Sequence, residues 1–266
     1  MQTLAKETSA REPQAFGSLL KAWRARRRVS QLDLALDADL SQRHVSFLES
    51  GRSKPSRASI EKLADALTIP RAERDRLFAA AGFVPPSTMS PWTPEARAAI
   101  DESLAFILER HDPFPAMVVD RLWNLKQANA ALGRFLAPFG PPPSQNLVVA
   151  LLHPDGPRRS LVNWREVAAG LVGLIEVEVA RRLDDGEGRA LLLEIFDLPG
   201  VADACAKGPD SPGAPVISLH FNLDGRDLRL FSLVATVGMS VDPGLEDLKL
   251  ETLLPADADT RAWFVN

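Results

Sequence analysis

Gln42, Arg43 and Ser46 share one face of a short amphipathic stretch, and their side chains are forked or compact hydrogen-bonding groups. No carboxylate interrupts them before Glu49. Gln and Arg carry the paired donors and acceptors that match base edges in a DNA major groove. Ser41, Gln31 and helix N-termini are suited to phosphate oxygens. An ordinary amphipathic helical hairpin would show much the same pattern. The chemistry therefore has to be weighed with the elements that position it.

Those elements run from Ser30 to Pro55. Ser30 is a good N-cap, with Asp33 three residues on as a weak stand-in for the usual Glu. Leu32, Leu34, Ala35 and Leu36 supply the apolar side of a first short helix. Asp39-Leu40 breaks the run, and Ser41 caps a second helix whose Val45 and Leu48 face inward. Before the hairpin, Phe16 to Arg28 reads as a helix with Phe16, Leu19, Leu20 and Trp23 on one side. It ends in Arg24, Arg26, Arg27 and Arg28, a cluster that suits the helix dipole and also suits phosphates. After the hairpin, Ser56 caps a fourth helix through Leu67, and Pro70 opens a fifth that stops at Gly82. Five short helices make a small bundle over 15–83, behind a polar tail, 1–14, expected to be disordered.

The charge is divided along the chain. Overall it is −4, yet residues 1–84 hold 15 Lys and Arg against 10 Asp and Glu, leaving 16 against 25 for the remainder. A basic head on an acidic body fits a nucleic-acid-binding module joined to something else. The single cysteine, Cys205, permits no intramolecular disulfide, which points to a cytoplasmic protein. It is either a redox-sensing thiol or an inert, partly buried one. Four scattered His and one Cys give no metal-ligand cluster. No apolar run approaches the ~18 residues of a membrane helix, so no membrane partner is expected.

Val84 to Pro94 is rich in Pro and Ser and reads as a linker, which places a second domain over 95–266. Glu95 to Arg110 is amphipathic through Ile100, Leu104, Ile107 and Leu108. AMVVD and LWNLKQ read as strands, and Asn129 caps a short helix. Helices follow over Asn146 to Arg182 and Gly188 to Phe196, and VADACAKGPDSPGAP reads as loop. A hairpin turning at Asp224-Gly225 and a last strand, DLKLETLLPAD, close the chain. This order implies an α+β, two-domain protein whose second domain is an antiparallel sheet with helices.

SQLDLALDADLSQRHVSFLESGRSKPS resembles the helix-turn-helix of XRE-type bacterial repressors. It has Ser30-Gln31 at the start, Leu34-Ala35 inside, Leu40-Ser41 entering the second helix, and Val45-Ser46-x-Leu48-Glu49-x-Gly51 leading to a basic loop. The likeness runs over most of 16–83 and implies a lambda-repressor-like five-helix fold that binds a double-stranded DNA operator. It implies that Gln31, Ser41, Gln42, Arg43 and Ser46 face DNA, that Arg52 and Lys54 meet its backbone, and that Glu49 ties the recognition helix to an arginine of the first helix. Asp39 stands where the family commonly has glycine, and Asp tolerates the left-handed backbone a turn requires better than most residues.

PAMVVDRLWNLKQANAAL, NLVVALLHPD with LVNWREVA, and LKLETLLPAD resemble the PAS-like ligand-binding domain of MmyB-like regulators, over most of 96–266. That likeness implies an acyl-chain, fatty-acid-like ligand held non-covalently, and no other cofactor. Trp123, Leu125, Phe135, Trp164, Leu171, Phe221 and Phe231 are the candidates to line its cavity, although each suits plain core packing as well. Arg121, Asn163, Arg165 and His153 are candidates for a carboxylate head group. Burying roughly ten methylenes at ~0.8 kcal/mol each would give ~8 kcal/mol before immobilisation costs. Alternatively the domain is only a platform for homodimers, since such repressors bind paired half-sites. A third possibility, an enzyme, lacks any phosphate loop, G-x-S-x-G or His-Glu-x-x-His motif. Asp184-Asp185 and Asp257/Asp259 read as solvated charge.

Overall fold

Contacts divide the chain into two units, Met1–Ser90 and Pro91–Asn266. The computed structural model describes residues 15–86, 93–207, 217–236 and 248–265. The tail expected over 1–14, and 87–92 of the expected linker, lie outside the described residues.

In the first unit the described helices are α1 (Phe16–Arg27), α2 (Gln31–Asp37), α3 (Gln42–Glu49), α4 (Arg57–Ala66) and α5 (Arg71–Ala80). Capping side chains set the starts of α2, α3 and α4. Ser30 accepts from the Asp33 backbone N–H, Ser41 from that of His44, and Ser56 exchanges bonds with Ser59 in a capping box. Leu20, Trp23, Leu34, Val45, Leu48, Ile60, Leu63 and Phe78 are buried together. Leu32 and Leu36 are exposed, so α2 contributes only Leu34 and Ala35 to the core. Asp39 holds the turn at φ 50°, and its carboxylate receives Lys62 Nζ at 2.8 Å.

The second unit begins with α6 (Pro94–Arg110), β1 (Ala116–Val119) and β2 (Leu125–Ala128). Next come α7 (Ala130–Leu136), α8 (Leu147–Leu152), α9 (Trp164–Ala180), α10 (Gly186–Phe196) and α11 (Val201–Lys207). The chain then returns through β3 (Ser218–Leu223), β4 (Arg226–Thr236), β5 (Lys249–Pro255) and α12 (Ala258–Val265). The strands form an antiparallel sheet in the order β2-β1-β5-β4-β3. The hairpin turns at Asp224 and Gly225, with φ of 50° and 80°, the left-handed pair that suits the strand twist.

Three expectations need correction here. The second strand starts at Leu125 rather than Leu122, because Asp120 Oδ1 accepts from the Leu122 and Asn124 N–H groups and folds 120–124 into a turn. Val201–Lys207 is a helix, not loop, with Val201 and Ala204 buried against the core. A last helix, α12, follows β5 and brings Trp263 and Phe264 against that core.

Both faces of the sheet are covered at β1. Met117 and Val119 join the large core that also takes in α7 to α11, whereas Ala116 and Val118 pack with Leu104 and Leu108 of α6. Asn129 ties these layers. Its Oδ1 accepts from Ala116 and Leu132 N–H groups, and its Nδ2 donates to the Leu108 and Phe114 carbonyls.

Candidate functional site: a DNA-reading helix and an apolar cavity

Two residues fix the placement of α3 against α1. The first is Gly17, where a Cβ would sit 2.5 Å from the carbonyl oxygens of Leu48 and Glu49. Only glycine lets α1 approach that backbone so closely. The second is Glu49. Arg24 Nε donates to its Oε1 at 2.6 Å, Arg24 Nη2 to its Oε2 at 3.0 Å, and Gln31 Nε2 to Oε2 at 2.7 Å. The Glu49 side chain is 4% exposed. Its burial works to raise the pKa, but the bonds from Arg24 and Gln31 and the Arg24 charge win and hold the carboxyl below its ordinary value.

With its inner side pinned, α3 turns Gln42 and Arg43 outward, both exposed, and leaves Ser46 half-buried. Arg43 and Arg52 lie over the ring of Phe47, at 5.1 and 5.9 Å from its centroid. Stacking of this kind restrains long side chains before any partner is met. Lys54 is exposed in the loop that follows. Not every helix-end arginine of α1 remains for phosphates. Arg24 is bound to Glu49, and Arg27 donates to the Leu67 and Thr68 carbonyls at 2.9 Å each.

In the second unit an apolar cavity of about 160 Å³ opens between the sheet and the helices. Met117, Phe135, Leu171, Phe221 and Leu253 form much of its wall, and the Pro141–Pro143 segment borders it. The Asp120 turn places Trp123 on this wall at φ 62°. Lys126 adds an ion pair to Asp120 at 3.0 Å. One polar group stands out among the lining residues. Glu251 Oε1 receives Ser232 Oγ at 2.5 Å, and its Oε2 receives Trp123 Nε1 at 3.2 Å.

A family model for the MmyB-like transcription regulator ligand binding domain matches residues 100–264, which is more than half of the chain. The chain belongs to the MmyB-like transcription regulators. A helix-turn-helix domain model matches residues 15–77. No curated protein matches the chain. This MmyB-like regulator thus joins a DNA-binding helix-turn-helix domain to a ligand-binding domain, and neither family is enzymatic. Among the described residues no helix is long and apolar enough to cross a membrane.

The expected site residues divide unequally over this MmyB-like chain. Gln42, Arg43, Arg52 and Lys54 are presented to solvent, whereas Gln31 spends its amide on Glu49 and Ser41 spends its hydroxyl on capping α3. Glu49 does bind an arginine of α1, as expected. Trp123, Phe135, Leu171 and Phe221 line the cavity. Leu125, Trp164 and Phe231 are not among its lining residues. Leu125 is exposed on β2, and the Trp164 ring is covered by Arg158 and Arg165, at 3.5 and 4.8 Å from its centroid. Phe231 alternates with Ser232, and it is Ser232 that faces the cavity.

None of the four head-group candidates borders the cavity either. Arg121 is buried in an ion pair with Asp185, 2.5 Å between Nη1 and Oδ2, and also meets Glu187. Asn163 bridges Ser218 and His220, Arg165 lies on Trp164, and His153 accepts from the Asp155 N–H. Asp185 is therefore not the solvated charge its sequence surroundings suggest. Burial, together with the charge of Glu176, pushes the Cys205 thiol upward, away from the reactive thiolate.

Sequence reading missed Phe47, Ser232 and Glu251. Phe47 was visible only as an aromatic between two arginines. Ser232 and Glu251 gave no signal, because their meeting depends on strand register.

Proposed function

We propose that this chain is a sequence-specific transcriptional regulator whose MmyB-like domain binds a small apolar ligand with a flexible hydrocarbon chain and so changes how the head meets its operator. Gln42 and Arg43 read bases, Ser46 lies beside them, and Arg52 and Lys54 hold the DNA backbone. The observation that carries the ligand reading is the cavity, whose wall is built from Met, Leu, Phe, Val and Pro side chains. Cavities of that make-up take apolar molecules. The protein acts in the cytoplasm as a homodimer, since two heads are needed for half-sites about 34 Å apart. Phe106 and Ile107, exposed on α6, supply apolar surface for such pairing.

Native mass spectrometry of the purified protein, followed by operator titration with and without the retained molecule, tests this reading. The expected outcome is a dimer carrying a hydrocarbon-chain ligand that shifts operator affinity by about 1–3 kcal/mol. If no lipid extracted from the source cells moves operator affinity, the sensor reading falls and the DNA reading stands. The domain would then be only a platform for dimerisation.

A further inference from the structure

Polar groups are rare on the cavity wall, and the ones that matter converge. Glu251 on β5, Ser232 on β4 and the indole of Trp123 in the Asp120 turn meet within hydrogen-bonding distance. Register explains why a carboxyl reaches so deep. Along β5, Glu251 and Leu253 share the cavity face, whereas Leu250 packs towards α6. Lys249, two residues before Glu251, leans over the Trp123 ring at 4.3 Å and is 3.5 Å from Glu178. That lysine is thus held beside a carboxylate of its own and is not among the residues lining the cavity.

We infer, resting on the ligand reading above, that Glu251 with Ser232 and Trp123 anchors the polar end of the ligand, and that this end is an uncharged hydroxyl rather than a carboxylate. The ligand class is a long-chain alcohol. Burial pushes the Glu251 carboxyl above its ordinary pKa, against the bonds from Ser232 and Trp123 and the charge of Lys249. The neutral acid is the form that a water-poor, apolar wall favours. Such an acid offers one donor and spare acceptor capacity, and a hydroxyl complements both. A carboxylate would bury its charge in the same apolar place, with no arginine among the described residues of the wall to receive it. An alkylammonium would require Glu251 to ionise in the same place.

The test compares n-octanol, octanoate and n-octylamine by calorimetric titration of the full-length chain at neutral pH. The three share one chain and differ only at the polar end. Octanol is expected to bind at least about tenfold more tightly than either charged probe, a difference of about 1.4 kcal/mol. Glu251→Gln keeps a donor and an acceptor, and should retain most of that preference. Glu251→Leu should reduce it to about threefold or less, with the circular dichroism spectrum unchanged. Octanoate or octylamine binding wild type as tightly as octanol would overturn the inference and leave the ligand reading intact. A full preference persisting in a folded Glu251→Leu protein would overturn it too. If none of the three binds, the ligand reading itself fails. The wild-type comparison decides the matter even if Glu251→Leu does not fold.

Discussion

Each unit of this MmyB-like regulator contains an arginine clamped to a buried carboxylate, and the two clamps serve different ends. In the head, Arg24 and Gln31 converge on Glu49 at the last residue of α3, which leaves the opposite face of that helix outward. In the ligand domain, Arg121 pairs with Asp185 at the start of α10, beside the turn that carries Trp123 to the cavity. One clamp aims a surface outward, and the other closes ground next to an interior space. Buried pairs of this kind add little to stability against an apolar replacement, but cost much when half removed. Their value here is placement.

The sharpest way to break the comparison is Arg121→Ala, which strands Asp185 without its partner at a site where both residues are nearly inaccessible. We expect a loss of about 3–5 kcal/mol in the second unit, read as a lowered denaturant midpoint, with operator contacts of α3 untouched. In the head, Glu49→Ala should cost less, about 2 kcal/mol, because Arg24 is partly solvated and can re-hydrate. Both carboxyls have folded pKa values below their unfolded values of 4.5 for Glu49 and 3.8 for Asp185. For Asp185 burial again opposes the shift, and Arg121 and the Gly188 N–H outweigh it. Each clamp therefore contributes fully above its unfolded pKa, and the contribution fades as pH falls through the folded one. Acid unfolding followed by circular dichroism should show a shallower head transition in Glu49→Gln.

Smaller effects separate reading from holding on the outer face. Arg43→Ala should cost about 1–3 kcal/mol on the operator and relax one base preference. An equal loss on every sequence would instead make Arg43 a phosphate contact. Lys54→Ala should leave sequence preference alone and lower the salt slope of binding by about one unit, measured by fluorescence anisotropy over a range of salt.

The same contrast explains what could be read from residues alone. The head was legible because its signals are local. Ser30, Ser41 and Ser56 cap helices within three residues, and Val45 and Leu48 mark an inner side by spacing. Even Glu49 follows a short ordered motif. The cavity was only half legible because its wall runs from Met117 to Leu253, and a strand changes face with every residue. Phe231 stands one position from Ser232, which lines the cavity in its place. Glu251 stayed hidden because alternation in LKLETLLP assigns the charged residues to solvent, an assumption that fails where both faces of a sheet are covered. The helix at Val201–Lys207 was masked by the Gly, Pro and Asp residues that follow it.

The contact at Gly17 has a bearing on how new operators can be acquired. Because α3 is seated by a missing methyl group and by Glu49, the exposed positions at Gln42 and Arg43 stand apart from the contacts that seat it. Those two sites can be exchanged for others, by drift or by design, while the frame that presents them stays as it is.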